Sequence, residues 1–543
     1  MQVESDLSTQ EMDEDVVTSA TMNPLGDMAQ VESYDLQIDE TNVATSALMN
    51  PLLLNLIFSY LDAPTLKASV RPVCTLWADL GAPFLGKKTT LTFSELMTCD
   101  METPKAFGLA TFHPKLAKNV KLVSSKCPCE SPERLPRKFT AARPKIARYL
   151  EELEVKIYSS FLPGLHKLWR SKSHLFENLT KISITVLLSS DENQGTILTA
   201  SYPTMANVRV ILIKMTNQYE TEQDEMAASI CQKLLNSTPN LTEMEVEASF
   251  YLDFAPSKKL SKLTYAFVQF FDWDTEEPPG VMEIGKMAKM LESCRESLTE
   301  LSLSHVGEKI DDEEDDDMPQ PQTLSLPSFT SLTRLSISSM EVYRLGDCLS
   351  ATHLPNLTHV SLAGCVQLDF TLSDIFANLL QPHVGITSLD LDAVYDGDEH
   401  YVDIGTEIIR VFPAVKMLQL KLTISVHLLV ENYDDIRLLK KTLRNFAPWE
   451  LTSAVVQIHK VRSSGVVLGT MQGLRRWKGL AHTEVRLYAD KQPFVLGEIL
   501  KEVLLACREI KLLKMLGFLM KNRDEYEFQE FIEENSLPIT FSE

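Results

Sequence analysis

Leu357-Thr358-His359-Val360-Ser361-Leu362 is followed by Ile386-Thr387-Ser388-Leu389-Asp390-Leu391 and then by Val415-Lys416-Met417-Leu418-Gln419-Leu420, each copy starting 29 residues after the last. The unit is apolar-x-x-apolar-x-apolar, and its final alternation is that of a strand with one face buried. The same unit stands at Leu150/Leu153/Val155, Leu179/Ile182/Ile184, Val208/Ile211/Ile213, Leu241/Met244/Val246, Leu260/Leu263/Tyr265, Leu298/Leu301/Leu303 and Leu332/Leu335/Ile337. The step is 29 residues again from 150 to 179 and from 179 to 208, and runs from 19 to 38 elsewhere. Between units, helical apolar spacing recurs at Asp224 to Leu235, Glu283 to Cys294, Leu372 to Leu380 and Ile404 to Phe412. A strand and a helix per unit make a stacked array in which no unit closes a core by itself.

The series is similar to leucine-rich repeats. Leu357 to Cys365, with Asp374 downstream, resembles the cysteine-containing subtype, although the other units lack that cysteine. The resemblance implies an irregular α/β solenoid, right-handed and curved, with strands concave and helices convex. Residues between the repeat leucines would then form rows on the concave side. The central row reads Ser302, Ser336, Ser361, Asp390, Gln419; the row before it Glu300, Arg334, His359, Ser388, Met417; the row after it Ser304, Ser338, Ala363, Asp392, Lys421. Glu300, Ser302, Arg334, Ser336, His359, Ser361, Asp390, Asp392 and Gln419 are the candidate partner contacts. Small side chains in the middle leave room, and Asp390 with Asp392 offers a negative patch. For each residue singly, an ordinary solvated sheet face is the alternative.

Upstream, residues 48–80 carry a different pattern. Leu53, Leu54, Ile57, Phe58 and Leu61 lie at helical spacing, with Pro51 in the first turn, where its missing N–H costs nothing. Asp62-Ala63-Pro64-Thr65 breaks that helix, and Thr65 is placed to cap a second one carrying Leu66. Pro72 ends it, and Val73, Leu76, Trp77 and Leu80 form a third short apolar face. Three helices in so few residues cannot bury all of this surface. The stretch from Leu48 to Gly86 resembles an F-box, through Ile57-Phe58-x-Tyr60-Leu61-Asp62 and Val73-Cys74-x-x-Trp77 together. Asn50 and Leu52 stand where that family commonly has proline and an acid, and one extra residue falls near Pro72. The resemblance implies docking on the Skp adaptor of a cullin–RING ubiquitin ligase. The residues that match are Pro51, Leu53, Leu54, Ile57, Phe58, Leu61, Leu66, Val73, Cys74 and Trp77. Some of these, above all Leu61, Val73 and Trp77, have an internal core role as the alternative.

The organisation expected is an acidic disordered leader at 1–45, the helical module at 46–86, a linker and first solenoid turn with a Pro-rich basic loop at 87–148, repeats at 149–440 with a disordered acidic insertion at 307–321, and degenerate repeats with a C-terminal cap at 441–543. The leader duplicates Gln2-Val3-Glu4-Ser5 and Thr18 to Leu25 as Gln30-Val31-Glu32-Ser33 and Thr45 to Leu52, and only the second copy runs on into an apolar helix. Cations from Lys126 to Arg148 (Arg134, Arg137, Lys138, Arg143 and Lys145 between them) sit among prolines and read as a solvated loop; contact with an acidic partner is the alternative.

The formal charge of the 543-residue chain is −23, and eleven acids before residue 46 with seven at 311–317 account for eighteen of it. A nucleic-acid partner gets no support from so acidic a balance. No apolar run reaches the ~20 residues that span a bilayer. No signal peptide is visible, and the nine cysteines show no framework spacing, so reduced thiols in cytoplasm or nucleus are expected. Phosphate loops, dinucleotide fingerprints, metalloprotease and serine-hydrolase motifs are absent. Cys127-Pro128-Cys129 is poor zinc spacing, and Cys74 lies in an apolar pattern where thiols are inert. The expectation is a non-catalytic receptor subunit without cofactor or metal, binding the Skp adaptor (and through it cullin) and a protein target. A scaffold whose F-box-like helices only cap the solenoid is the alternative; an enzyme in the C-terminal third is the third reading.

Overall fold

The computed structural model describes residues 48–94, 113–124, 136–170, 176–188, 200–217, 224–268, 282–306, 322–339, 343–344, 346–364, 381–395, 404–424, 433–520 and 522–542. The leader, the Cys127/Cys129 loop, the insertion at 307–321 and the helix expected at 372–380 lie outside them. The chain divides into two compact units, Met1–Ile57 and Phe58–Glu543.

Sixteen strands form one sheet in strict chain order: β1 Thr90–Ser94, β2 Asn119–Val123, β3 Glu152–Tyr158, β4 Lys181–Leu188, β5 Val210–Asn217, β6 Glu243–Ala248, β7 Lys262–Val268, β8 Glu300–Val306, β9 Arg334–Ser338, β10 His359–Ala363, β11 Ser388–Tyr395, β12 Met417–Ile424, β13 Ser453–Val461, β14 Thr483–Pro493, β15 Leu512–Leu519 and β16 Ile539–Ser542. Neighbours are parallel throughout, so every connection must cross over on one side of the sheet. That is the topology of a repeat array, and it meets the α/β solenoid expectation from this chain's own hydrogen bonds.

The repeat leucines explain it. Leu153, Val155, Ile182, Ile184, Leu335 and Leu418 are all buried, while their sequence neighbours are half-buried or exposed. One continuous core runs from Phe93 to Leu537. The crossovers close it with amphipathic helices: α4 Arg137–Ile146, α5 Leu162–Arg170, α6 Asp224–Asn236, α7 Ile284–Glu292, α8 Ile404–Val411, α9 Tyr433–Arg444, α10 Ser464–Leu474, α11 Glu498–Ala506 and α12 Asn522–Glu534. The α4 helix corrects the reading of the basic stretch as a loop. Phe139, Ala142 and Ile146 recur on one helical face and are buried, and this burial outweighs Pro144 within the helix.

Backbone N–H groups of the next turn meet carbonyls at the strand entrances, and side-chain hydroxyls and amides add further donors. Thr180, Thr242, Thr299, Thr333, Thr358 and Thr452 each donate a side-chain hydrogen bond to a carbonyl at the preceding strand entrance. Asn178, Asn207, Asn240 and Asn356 do the same from one turn earlier. Farther along, indoles take over: Trp449 Nε1 donates to the Phe412 carbonyl at 3.1 Å and Trp477 Nε1 to that of Leu443 at 2.7 Å.

Before the sheet come α1 Pro51–Tyr60, a short α2 Ala63–Thr65 that continues as a π turn over Leu66–Val70, and α3 Thr75–Lys88. Asn50 caps α1: its side-chain oxygen accepts from Leu52 N–H at 2.9 Å and its carbonyl from Leu54 N–H at 3.0 Å. The second cap is Asp62, not Thr65. Asp62 is extended and its carboxylate accepts from Thr65 N–H at 2.9 Å, whereas Thr65 is already helical and makes no side-chain cap. The ammonium of Lys88 closes the end of α1 by donating to the carbonyls of Ser59 and Leu61.

α3 is joined to the first turn of the array. Asp79 accepts from Lys115 Nζ at 2.8 Å and lies 2.9 Å from His113 Nε2. A Cβ at Gly86 would fall 2.8 Å from the Lys115 carbonyl and 2.9 Å from that of Leu116, so only glycine permits this approach. The helix runs on to Lys88 and passes into β1 at Thr90.

Candidate interaction surfaces

The sequence offers six large apolar residues to a ten-residue helix that carries no charge in its first or last turn. One face is buried, with Leu54 and Phe58 each 1% exposed. Phe58 meets Trp77 edge-to-face with ring centroids 5.5 Å apart. The rest of the helix faces solvent: Leu52 is 79% exposed, Leu56 57% and Tyr60 81%, at i, i+4, i+8, with Leu53 and Ile57 beside them. An apolar helical face of this kind marks an interaction surface on an otherwise folded chain.

The ten F-box-type positions therefore separate. Leu54, Phe58 and Leu66 are buried, Leu61, Cys74 and Trp77 are half-buried, and Pro51, Leu53, Ile57 and Val73 are exposed. A single stripe from Leu53 to Leu61 does not describe this helix. Leu52, Leu56 and Tyr60 lie on its solvent side and were missed. The signal was present: two apolar triplets, Leu52-Leu53-Leu54 and Leu56-Ile57-Phe58, cover more of a helix than one interface can.

The second surface is the exposed face of the sheet. The register aligns Ser302 with Ser336, Ser336 with Ser361, Ser361 with Asp390 and Asp390 with Gln419. Glu300, Arg334, His359, Ser388 and Met417 align beside them, as do Ser304, Ser338, Ala363, Asp392 and Lys421. Charges on this face are largely engaged across strands. Arg334 reaches Glu300 at 3.3 Å; farther back Lys262 pairs with Glu243 and Lys214 with Glu247, both at 2.6 Å.

The expected negative patch has a cation beside one of its two carboxylates and an imidazole beside the other. Lys421 Nζ lies 2.7 Å from Asp392 Oδ2, and His359 Nε2 lies 3.3 Å from Asp390 Oδ2 while its Nδ1 meets Ser388 Oγ at 2.8 Å. Side chains one strand away had to be counted with the two aspartates. Oδ1 of Asp392 is buried without a hydrogen bond. The hydroxyls of Ser302, Ser336 and Ser361 form a narrow neutral strip beside these pairs.

A further cluster lies on β13 to β15, where the repeat pattern in the sequence fades. Hydrogen bonds from Arg486 at 2.8 Å and Lys514 hold the Glu484 carboxyl below the usual carboxylate range. His459 stacks on Tyr488, ring centroids 4.3 Å apart and planes 11° from parallel. Burial pushes its imidazole toward the neutral form, with Lys421 adding to the effect.

Cys231 and Cys294 are buried thiols pushed up to about 12 by desolvation, and Cys507 up to about 11, so none is poised as a nucleophile. Among the described residues no three histidine, cysteine or acidic side chains converge as metal ligands, and no helix is long and apolar enough to cross a membrane.

No protein-family model matches the sequence, and no curated protein matches it. Among solved structures, the chain is similar to an LRR protein of Leptospira interrogans at 12% identity and a TM-score of 0.25, covering 81% of this chain and 98% of that one. It is also similar to TLR13 from a complex with ssRNA13, at 10% identity and a TM-score of 0.31, covering 75% of this chain and 64% of that one. The superpositions are too distant to carry weight, and the repeat architecture stands on the ordered parallel sheet of this chain.

Proposed function

We propose that the chain is the non-catalytic receptor subunit of a Skp–cullin–F-box-type ubiquitin ligase, acting in the cytoplasm or nucleus. In this reading α1 docks the Skp adaptor, and the exposed face of the sheet holds a protein target. Holding both on one chain raises the target's effective concentration near a ubiquitin-charged enzyme elsewhere in the complex. The observation that carries the reading is the uncharged face of Leu52, Leu53, Leu56, Ile57 and Tyr60, on the segment that resembles an F-box. Substituting Leu56→Asp with Ile57→Asp changes exposed residues, so the fold should survive. Adaptor affinity measured by biolayer interferometry should then fall by roughly thirtyfold or more, as for a hot-spot pair. A folded double variant that binds the adaptor as the parent does would sink the proposal.

A second reading has its own support. The Asp79–Lys115–His113 contacts and the close approach at Gly86 join α3 to the first turn of the array, as a terminal cap requires. In that reading the same double variant changes no binding partner, while Asp79→Ala loosens the first strands.

A further inference from the structure

The crossovers flanking β3 have an unusual charge. Residues 136–148, which hold α4 and the turn after it, and residues 159–170, which hold α5, carry seven Lys or Arg and no Asp or Glu, in a chain of net charge −23. Lys145, Arg148, Lys167 and Arg170 are exposed and Lys138 is half-buried. Of the three acids between the two segments, Glu151 is engaged with Lys118 and Glu154 with Lys121 on the other side of the turn, and Glu152 is exposed. Lys138, Lys145, Arg148 and Arg170 make no ion pair among the described residues, in contrast to the paired charges of the sheet face.

Buried His166 on α5 is kept toward its neutral form first by desolvation and then by the positive charges of Lys233 and Arg170.

We propose that the outer surface of α4 and α5 docks an acidic polypeptide segment of a partner protein, with Lys138, Lys145, Arg148 and Arg170 as the cations that receive its carboxylates. The proposal is independent of the adaptor surface on α1. Lys138 and Lys145 are two helical turns apart, about 10 Å along the axis. That is the reach of roughly three residues of extended peptide, so acids at every third position match them. Other polyanions fit less well. The large aromatics of these segments, Phe139, Phe161 and Trp169, are buried and cannot stack on bases. No large apolar side chain is exposed on α4 or α5 to enter a membrane.

The test uses the full chain and a fluorescein-labelled peptide of Glu-Gly-Gly repeats, read by fluorescence anisotropy. The peptide should bind, its Gln-Gly-Gly counterpart should not, and affinity should fall as salt rises. Lys145→Glu, Arg148→Glu and Arg170→Glu combined should weaken binding by about tenfold or more, with the circular dichroism melt unchanged. Lys145→Gln with Arg148→Gln should give a smaller loss and serves if the triple reversal does not fold. Absence of peptide binding, or binding that ignores these substitutions, overturns the proposal. So does tighter binding of a single-stranded oligonucleotide of equal charge, or of phosphatidylserine vesicles, than of the peptide.

Discussion

Asp79 shows how much one side chain holds at the start of the array. Its hydrogen bond from Lys115 is the chief cause that holds its carboxyl below the ordinary value of 3.8; burial opposes this, and the contact with His113 adds to it. The folded value is the depressed one, so the stabilisation is complete above the unfolded value and is lost as pH falls through the folded value. The carboxylate side chain is 50% exposed, which limits the worth of the contact. Asp79→Asn should cost about 0.2–1 kcal/mol near neutral pH. Urea melts of parent and variant should converge as the pH is lowered below 3.8; a difference that persists there would mean that charge is not the cause.

At the scale of elements, α3 and the first turn of the array meet through backbone. Gly86→Ala places a methyl within 3 Å of two carbonyls that cannot turn away. The expected cost is about 1–3 kcal/mol, as for overpacking elsewhere. Hydrogen exchange should quicken in β1 and β2 and stay unchanged in β13; uniform quickening would mean that the contact is not local. Elements were legible where period alone decides them. Leu357, Val360 and Leu362 announce a strand, because alternation and burial coincide there. α4 was not legible, since its prolines outweighed the spacing of Phe139, Ala142 and Ile146 until the core was seen. The split of α1 into a buried and an exposed face was not legible either, because Leu53 and Leu54 are chemically alike and only packing tells them apart.

Across the sixteen-stranded sheet, each strand pairs only with its neighbours in chain order. Stability should then be a chain of neighbour terms rather than one global sum. Leu335, in the middle of the sheet, is fully buried. Leu335→Ala should cost about 2–5 kcal/mol. The loss should appear as faster amide exchange in β8, β9 and β10, which pair in register, and not in β3. Exchange that rises equally in all strands would show a single cooperative core instead.

The sequence by itself determined the array: the 29-residue step, the leucines that point inward, and the rows that lie side by side on the sheet, since these follow from periodicity and every period is written in the residues. It also held the resemblance of residues 48–86 to an F-box. Tertiary structure alone decided which leucines of α1 remain outside, which aspartates find a cation, and where unpaired cations gather on α4 and α5. Those are properties of distance between residues far apart in the chain, and burial and Coulomb energy act through distance.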